Sequence, residues 1–429
     1  MVYFLARPIA RFVLRYYYRH LDVSGLEHIP AKGPVIFAAN HPTAFIEPCL
    51  LACFQRRPLF FLARGDLFKN GFFSFLLGLV RILPVYRIQD GGYSRLKDNF
   101  ATFQACFQTL SIGKAIMILA EGRTIHEKRL RPLRKGTARI ALGALQNDPR
   151  LKDVTIIPVG VHFNHAAQVR GQVHIEFGHP MSTAEFMPIY RQQENQGVNA
   201  LTDALRERLE QLVVHVPTQA QDSLAEAAFE LDRSEHREQL RSGISHDGQQ
   251  FARIRALAFL LPQVAPLADF YFNRLTQFGL KDPAVAGVYQ KDLRLGWTGW
   301  LKALLASILL LFWWPLWWVA ETIAGTVIRQ VEFYSPIRFG ICALGMVFYL
   351  LLWLLLIWST ISCPPIGFIL LGYLLVAMLT VDWSIRQWER VGRWRAARKA
   401  WRLIPPERTF MKEARQAALA ELGIQSPKK

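Results

Sequence analysis

A histidine leaves an apolar run and is followed by a carboxylate six positions on, in Asn40-His41-Pro42-Thr43-Ala44-Phe45-Ile46-Glu47. Imidazole titrates near neutrality and can take a proton from a hydroxyl. A carboxylate on its other nitrogen fixes the tautomer and stabilises the imidazolium that forms. The pattern is that of a general base with an orienting acid, although a His close to a Glu also serves purely structural ends. A second group, Glu121-Gly122-Arg123-Thr124, is followed by Arg129, Arg131, Arg134 and Lys135. Gly122 lets backbone approach a ligand, and guanidinium grips phosphate in a bidentate fork; a solvated basic loop is the plain alternative. Val85-Tyr86-Arg87 adds one Arg at the end of an apolar run, and Ile157-Pro158-Val159-Gly160-Val161 is an apolar run containing a Pro. Singly these two carry little information.

The elements that must hold these residues read as alternating strands and helices. Residues 34–39 (PVIFAA), 58–62 (PLFFL), 115–120 (AIMILA), 154–161 (VTIIPVGV) and 172–177 (QVHIEF) are short apolar or alternating runs, as strands are. Residues 72–83, 94–110 and 137–146 read as helices. The alternation predicts an α/β domain with a mainly parallel sheet flanked by helices. Ligands in such sheets sit at the carboxyl ends of strands, and each polar motif follows an apolar run. Residues 190–250 are polar, look helical and carry no chemistry; 251–295 are mixed.

Taken together and in order, the four motifs resemble the four blocks of the glycerolipid acyltransferase superfamily, the glycerol-3-phosphate and 1-acylglycerol-3-phosphate acyltransferases. The lead-in Val23-Ser24-Gly25-Leu26-Glu27-His28-Ile29-Pro30 through Gly33-Pro34-Val35-Ile36-Phe37 and the stretch Leu133-Arg134-Lys135-Gly136-Thr137-Ala138-Arg139 look like that family too. The resemblance covers about residues 20–180. It implies that His41 is the base, deprotonating an acceptor hydroxyl that attacks an acyl thioester of coenzyme A or acyl carrier protein with no covalent acyl-enzyme. The block-one acid maps to Glu47, with two departures: most members have Asp after four intervening residues, and here a Glu follows five. Five is similar to a branch that includes the fungal-type glycerol-3-phosphate acyltransferases. Arg87, Glu121 and Arg123, with Gly122 between them, match positions that bind the glycerol phosphate. Lys135 is added as a basic residue in reach of the same loop. The resemblance implies no metal or prosthetic group, the acyl thioester being a co-substrate.

Other chemistries fit less well. The sequence has no G-x-S-x-G elbow and no P-loop. His162, His165, His174 and His179 cluster, but they straddle apparent strands and no Cys joins them, so zinc is disfavoured. Five Cys, odd in number and scattered, argue against a disulfide framework.

The C-terminal half carries two uncharged stretches, 303–320 and 339–381. A span needs about 20 apolar residues. The second stretch is long enough for two, turning at Cys363-Pro364-Pro365-Ile366-Gly367. The first is marginal, and Pro315 stands among Trp313, Trp314, Trp317 and Trp318, residues that favour the interface. The tail after Asp382 is rich in Arg and expected on the cytoplasmic side. A hairpin at 339–381 with a non-crossing 303–320 keeps tail and catalytic domain together; three full spans is the alternative. Residues 1–20 read as a basic amphipathic helix, with Arg7, Arg11, Arg15 and Arg19 four apart, rather than a cleavable signal. Such a helix lies on an anionic membrane surface or packs on its own domain.

The chain of 429 residues has a net charge of +18 and 52% apolar residues. These values exclude a disordered or fibrous protein and point to an anionic partner. Much of the charge sits beside the membrane segments, which favours lipid over nucleic acid.

The expected organisation is therefore residues 1–20 as a membrane-associating helix and 21–250 as the acyltransferase domain with a helical extension. A connector at 251–302, membrane segments at 303–381 and a basic cytoplasmic tail at 382–429 complete it. The expected function is a membrane-bound acyltransferase at the cytoplasmic face of the inner membrane, acting on glycerol 3-phosphate or a lysophospholipid. Its rivals are acyl transfer to another lipid acceptor and a non-catalytic lipid-binding protein of the same fold.

Overall fold

Short apolar runs buried on both faces form central parallel strands, and here they build the first of two compact units. The computed structural model describes residues 2–68, 70–85, 98–125, 127–218, 221–236, 243–261, 266–289, 294–360 and 364–425. The first unit comprises Met1–His215, Gly243–Arg255 and Val331–Pro336; the second comprises Val216–Ser242, Ala256–Gln330 and Ile337–Lys429.

The first unit runs α1 (Val2–Tyr17), β1 (His20–Ser24), β2 (Val35–Ala39), α2 (Ile46–Phe54), β3 (Leu59–Arg64), α3 (Gly71–Leu79), β4 (Ile82–Val85) and α4 (Asp98–Ser111). It continues with β5 (Ala115–Leu119), α5 (Gly136–Asn147), β6 (Thr155–Asn164), β7 (Gln172–Phe177), β8 (Met181–Ser182), α6 (Met187–Gln192) and α7 (Glu194–Leu212). A short β9 (Gly243–Ser245) joins the edge. The strand order is β4-β3-β5-β2-β6-β7-β1-β9, with β8 beside β6. All pairings are parallel except those of β6 with β7 and β8. This is the expected mainly parallel sheet flanked by helices. On one face Ile36, Ile116, Ile118 and Ile156 pack against Ala141 and Leu145 of α5 and Leu201, Leu205 and Leu209 of α7. The spacing of four in the last three is one stripe of a helix.

Four strands lie outside the sequence reading: β1, β8, β9 and β4, whose Ile82 and Leu83 were expected to end a helix over 72–83 that stops at Leu79. Residues 20–24 (HLDVS) alternate Leu21 and Val23 with polar His20 and Asp22, and all four are buried, so a five-residue run with two apolar side chains gives little hydrophobic signal. Asp22 Oδ2 lies 3.6 Å from Nδ1 of His174 on β7. Within the stretch 190–250, read as helical, Gly243–Ser245 instead pairs with β1; three residues are too few to show a period. The N-terminal helix forms as expected and buries Tyr3, Leu14 and Tyr17 in its own unit, while Phe4 and Leu5 stay exposed. Arg7 donates to the Gln55 carbonyl at the end of α2, and the Arg11 guanidinium lies 5.5 Å from the Phe54 ring centre.

The second unit is helical: α8 (Asp222–Glu235), α9 (Gln249–Leu260, begun in the first unit), α10 (Pro266–Gln277), α11 (Asp282–Tyr289), α12 (Gly296–Leu310) and α13 (Trp314–Val327). Then follow α14 (Val331–Ser359, its first turns counted in the first unit), α15 (Pro364–Leu379), α16 (Val381–Trp401) and α17 (Pro405–Glu421). Arg415 bridges Asp282 and Glu235, both at 2.8 Å, and the Tyr271 hydroxyl donates to Asp282 at 2.7 Å. A buried guanidinium is thus paired rather than stranded.

The apolar stretches behave differently from one another. Among the described residues, Glu332–Ser359 is one helix long and apolar enough to cross a membrane. Residues 303–320 are not one helix: α12 and α13 bend by 71° around residues 311–313, just before Pro315, which has no N–H to continue a ladder. The second leg of the expected hairpin, α15, has 16 residues and bends by 66° into α16. At 1.5 Å per residue it covers only about 24 Å, so it reaches a full span only with α16. The expected turn at Cys363 falls partly on residues 361–363, outside the described ones.

The break at 311–313 is built rather than loose. Phe312 packs among Tyr349, Trp353 and Tyr373. The Tyr349 hydroxyl donates to the Phe312 carbonyl at 2.5 Å, and the Tyr373 hydroxyl to the Ile308 carbonyl at 2.7 Å. Trp313 Nε1–H reaches the Ala377 carbonyl at 3.3 Å. Backbone that leaves the helix in an apolar setting must find such partners.

Candidate active site

Sheet register brings the two polar motifs level. Ala39 of β2 is the register partner of Leu119 of β5, so His41 and Glu121 each stand two residues beyond the paired strand ends. The ladder continues one step further, Ala120 N–H donating to the Ala39 carbonyl at 2.8 Å. On the other side of β2, Asn40 clamps β6. Its Nδ2 donates to the Val161 carbonyl at 2.9 Å, and Val161 N–H donates to its Oδ1 at 2.7 Å. A side-chain amide that satisfies both backbone groups of one residue fixes the start of the loop, and His41 follows directly.

His41 is buried, 7% exposed. Its Nε2 lies 2.7 Å from the Thr124 hydroxyl oxygen. Its Nδ1 faces Glu47 Oε2 at 3.8 Å, beyond hydrogen-bond range. Glu47 is fully buried in the first turn of α2, and its other oxygen accepts the Thr43 N–H. The five-residue spacing therefore lets one carboxylate close the loop and face the imidazole. A proton on Nδ1, toward Glu47, leaves the Nε2 lone pair to accept the Thr124 hydroxyl.

Glu121 is also buried, and it points inward. It accepts the Arg131 N–H at 3.3 Å and the backbone N–H of His41. Burial pushes its carboxyl above the usual range, against the pull of those N–H groups and of the nearby His41 and Arg131 charges. Gly122 has φ +67°, and a Cβ there would meet Arg134 Cγ at 2.8 Å. Arg123 and Lys135 have exposed side chains, Lys135 at the N-terminal boundary of α5. Arg87 lies outside the described residues. The structure thus gathers His41, Glu47, Glu121 and Thr124 at the ends of β2 and β5. Beside the loop a small cleft is lined by Asn40, Pro42, Lys128, Arg129 and His162.

Sequence reasoning gave Thr124 no role, although a hydroxyl two residues past a strand-end glycine was visible. Lys128, buried with 5% exposure, was passed over because charged residues in a basic stretch read as solvated. Of the four clustered histidines, His162 and His174 lie on β6 and β7 with ring centres 6.3 Å apart, whereas His179 pairs with His28 at 4.1 Å. Among the described residues no group of three His, Cys, Asp or Glu side chains converges as a metal centre would.

Comparison with known proteins places the same stretch. The Acyltransferase family profile matches residues 20–162. Glycerol-3-phosphate O-acyltransferase 2 of Saccharomyces cerevisiae is 29% identical over 126 residues, 29% of this chain and 17% of that protein. Glycerol-3-phosphate O-acyltransferase 1 of the same yeast is 28% identical over 125 residues, 28% of this chain and 16% of that protein. The chain thus spans about a sixth of the length of these curated relatives. Both are fungal, the branch that the His41–Glu47 spacing resembles. The crystal structure of a 1-acyl-sn-glycerophosphate acyltransferase from Thermotoga maritima aligns with a TM-score of 0.34 at 16% identity, covering 49% of this chain and 80% of that one. Four ordered motifs, a parallel sheet that levels two of them, and the Acyltransferase profile over the same residues converge: residues 20–162 match an acyltransferase domain and resemble that of the glycerolipid acyltransferase superfamily.

Proposed function

We propose that this protein is a membrane-bound O-acyltransferase that moves a fatty acyl group from a thioester of coenzyme A or acyl carrier protein to a hydroxyl of glycerol 3-phosphate or 1-acylglycerol 3-phosphate. The observation that carries the reading is the imidazole of His41, with Nε2 at hydrogen-bond distance from a hydroxyl oxygen and Nδ1 facing a buried carboxylate. The Thr124 hydroxyl marks where an acceptor hydroxyl would stand.

In this mechanism Nε2 takes the acceptor proton as the oxygen attacks the thioester carbonyl. A C–O bond forms, the tetrahedral intermediate collapses, the C–S bond breaks, and the departing thiolate takes the proton from the imidazolium. Glu47 favours the imidazolium by charge across 3.8 Å. Arg123, Arg87 and Lys135 are assigned to the acceptor phosphate by their chemistry and by the resemblance, and Gly122 to backbone approach. Glu121 supports the loop through the His41 and Arg131 N–H groups. A thioester is already activated, so the reading calls for no metal or prosthetic group. The apolar helix Glu332–Ser359 supports a bilayer location, and the Arg-rich segment after Asp382 supports the cytoplasmic face of the inner membrane.

The test is acyl transfer by the full chain in lipid, with labelled palmitoyl-coenzyme A or carrier-protein thioester. Glycerol 3-phosphate and 1-acylglycerol 3-phosphate are supplied in separate reactions. Product in one reaction, lowered about 100- to 10,000-fold in His41→Ala, establishes the activity and names the acceptor. Equal product from His41→Ala rejects the base assignment. The distance between Nδ1 and Glu47 favours one second reading, a lipid-binding protein of the same fold, which predicts acceptor binding with no turnover in either reaction.

A further inference from the structure

The loop between His41 and Glu47 is completed by residues far outside the matched stretch. Val331–Pro336, the start of the long apolar helix α14, belongs to the same compact unit as the sheet. Ala44 N–H, in the middle of the loop, donates to the Glu332 carbonyl at 3.2 Å. Ser335, 1% exposed, donates its hydroxyl to the carbonyl of Ala166 in the loop after β6. β2 and β6 are neighbours in the sheet, so one short segment ties together the loops that leave two adjacent strands.

The sequence of this segment explains why it can accept a hydrogen bond. In an α-helix the Glu332 carbonyl would take the N–H of position 336. That position is Pro336, inside the helix, which has no N–H and whose ring pushes against the carbonyl four residues earlier. The Glu332 carbonyl is thus denied its usual partner and made available to Ala44. In the loop itself, Thr43 N–H goes to Glu47 and Ala44 N–H to Glu332. Two successive amides beside the base are therefore held by separate acceptors.

We infer that Pro336 and Ser335 are positioning residues for His41: the start of the apolar helix sets the loop that carries the base. This rests on His41 being the base, as read above. The acyltransferase fold alone would then be an incomplete catalyst here, lacking one acceptor for its own catalytic loop.

The experiment compares wild type, Pro336→Ala, Ser335→Ala and Ser335→Thr as full chains in lipid nanodiscs. Steady-state acyl transfer and amide deuterium uptake over residues 40–46 are both read. Pro336→Ala makes the helix a better helix, so lost helicity cannot explain a lost rate. It supplies a competing N–H to Glu332. Pro336→Ala and Ser335→Ala are expected to speed exchange at residues 43–45 and to lower kcat about 10- to 100-fold, the scale of an ångström-sized misplacement. The KM for the thioester should stay near its wild-type value, and Ser335→Thr should restore the rate. Wild-type exchange and wild-type kcat in both variants would overturn the inference, as would a fall in rate matched by global loss of protection. If wild type transfers no acyl group, the function proposed above fails, while the exchange measurement still decides whether residues 335 and 336 hold the loop.

Discussion

Thr124 Oγ1 and His41 Nε2 stand 2.7 Å apart, at the end of the ring opposite the Nδ1 that faces Glu47. The proposed base is thus already bonded to a hydroxyl, and on that proposal an entering acceptor hydroxyl takes its place. A hydrogen bond of this kind is worth about 1 kcal/mol net, roughly a factor of five in affinity. Thr124→Ala is therefore expected to lower the KM for the acceptor about five-fold with kcat largely kept. Initial rates against acceptor concentration decide. A loss of kcat as deep as that of His41→Ala would instead make Thr124 part of the machinery.

Glu121 yields a pH dependence with a definite sign. Burial raises its folded carboxyl above the unfolded value, near 4.3 for a free Glu. The protonated form is the one the fold prefers, so its contribution is full below the unfolded value and is lost as pH rises through the raised one. Glu121→Gln keeps an acceptor for the Arg131 and His41 N–H groups without the charge. Its melting temperature relative to wild type should climb as pH rises from about 4 into the range above the raised carboxyl. A difference that stays flat across that range would show that burial does not penalise the ionised form.

Gly122 is tested by the smallest possible addition. Its positive φ and the 2.8 Å approach to Arg134 Cγ leave a Cβ both strained and crowded. Gly122→Ala is expected to cost about 1–3 kcal/mol, read as a shift in the denaturation midpoint. An unchanged midpoint would mean that the turn relaxes and that the Arg134 side chain yields.

The parts legible in the sequence were those with a local signature. β2, β5 and β6 announce themselves as apolar runs, and His41 and Glu121 as polar residues just past two of them. β1 was hidden because His20 and Asp22 are themselves buried, Asp22 facing His174, which leaves only Leu21 and Val23 as apolar markers in a five-residue run. The bend at residues 311–313 was legible in part: Pro315 and the Trp cluster pointed to a marginal, non-crossing 303–320, but hydropathy summed along a line has no direction and did not locate the break. The bond from Ala44 to Glu332 joins residues whose proximity no spacing rule encodes, and only the fold discloses it.

That bend supplies the last prediction. The carbonyls of Ile308 and Phe312 lie at a helix break among apolar rings, and each takes a tyrosine hydroxyl, from Tyr373 and Tyr349. Phenylalanine at either position keeps the ring packing and removes only the donor. Hydrogen bonds within membrane bundles contribute about 0.6–2 kcal/mol each. Tyr349→Phe and Tyr373→Phe are each expected to destabilise the helical unit by about that amount, and the double variant by about the sum, because the two bonds go to different carbonyls. Thermal unfolding in nanodiscs, followed by fluorescence of the Trp residues around the break, reads the effect. Wild-type stability in the double variant would show that water or lipid headgroups serve those carbonyls equally well, placing the break at the membrane surface rather than in its apolar core.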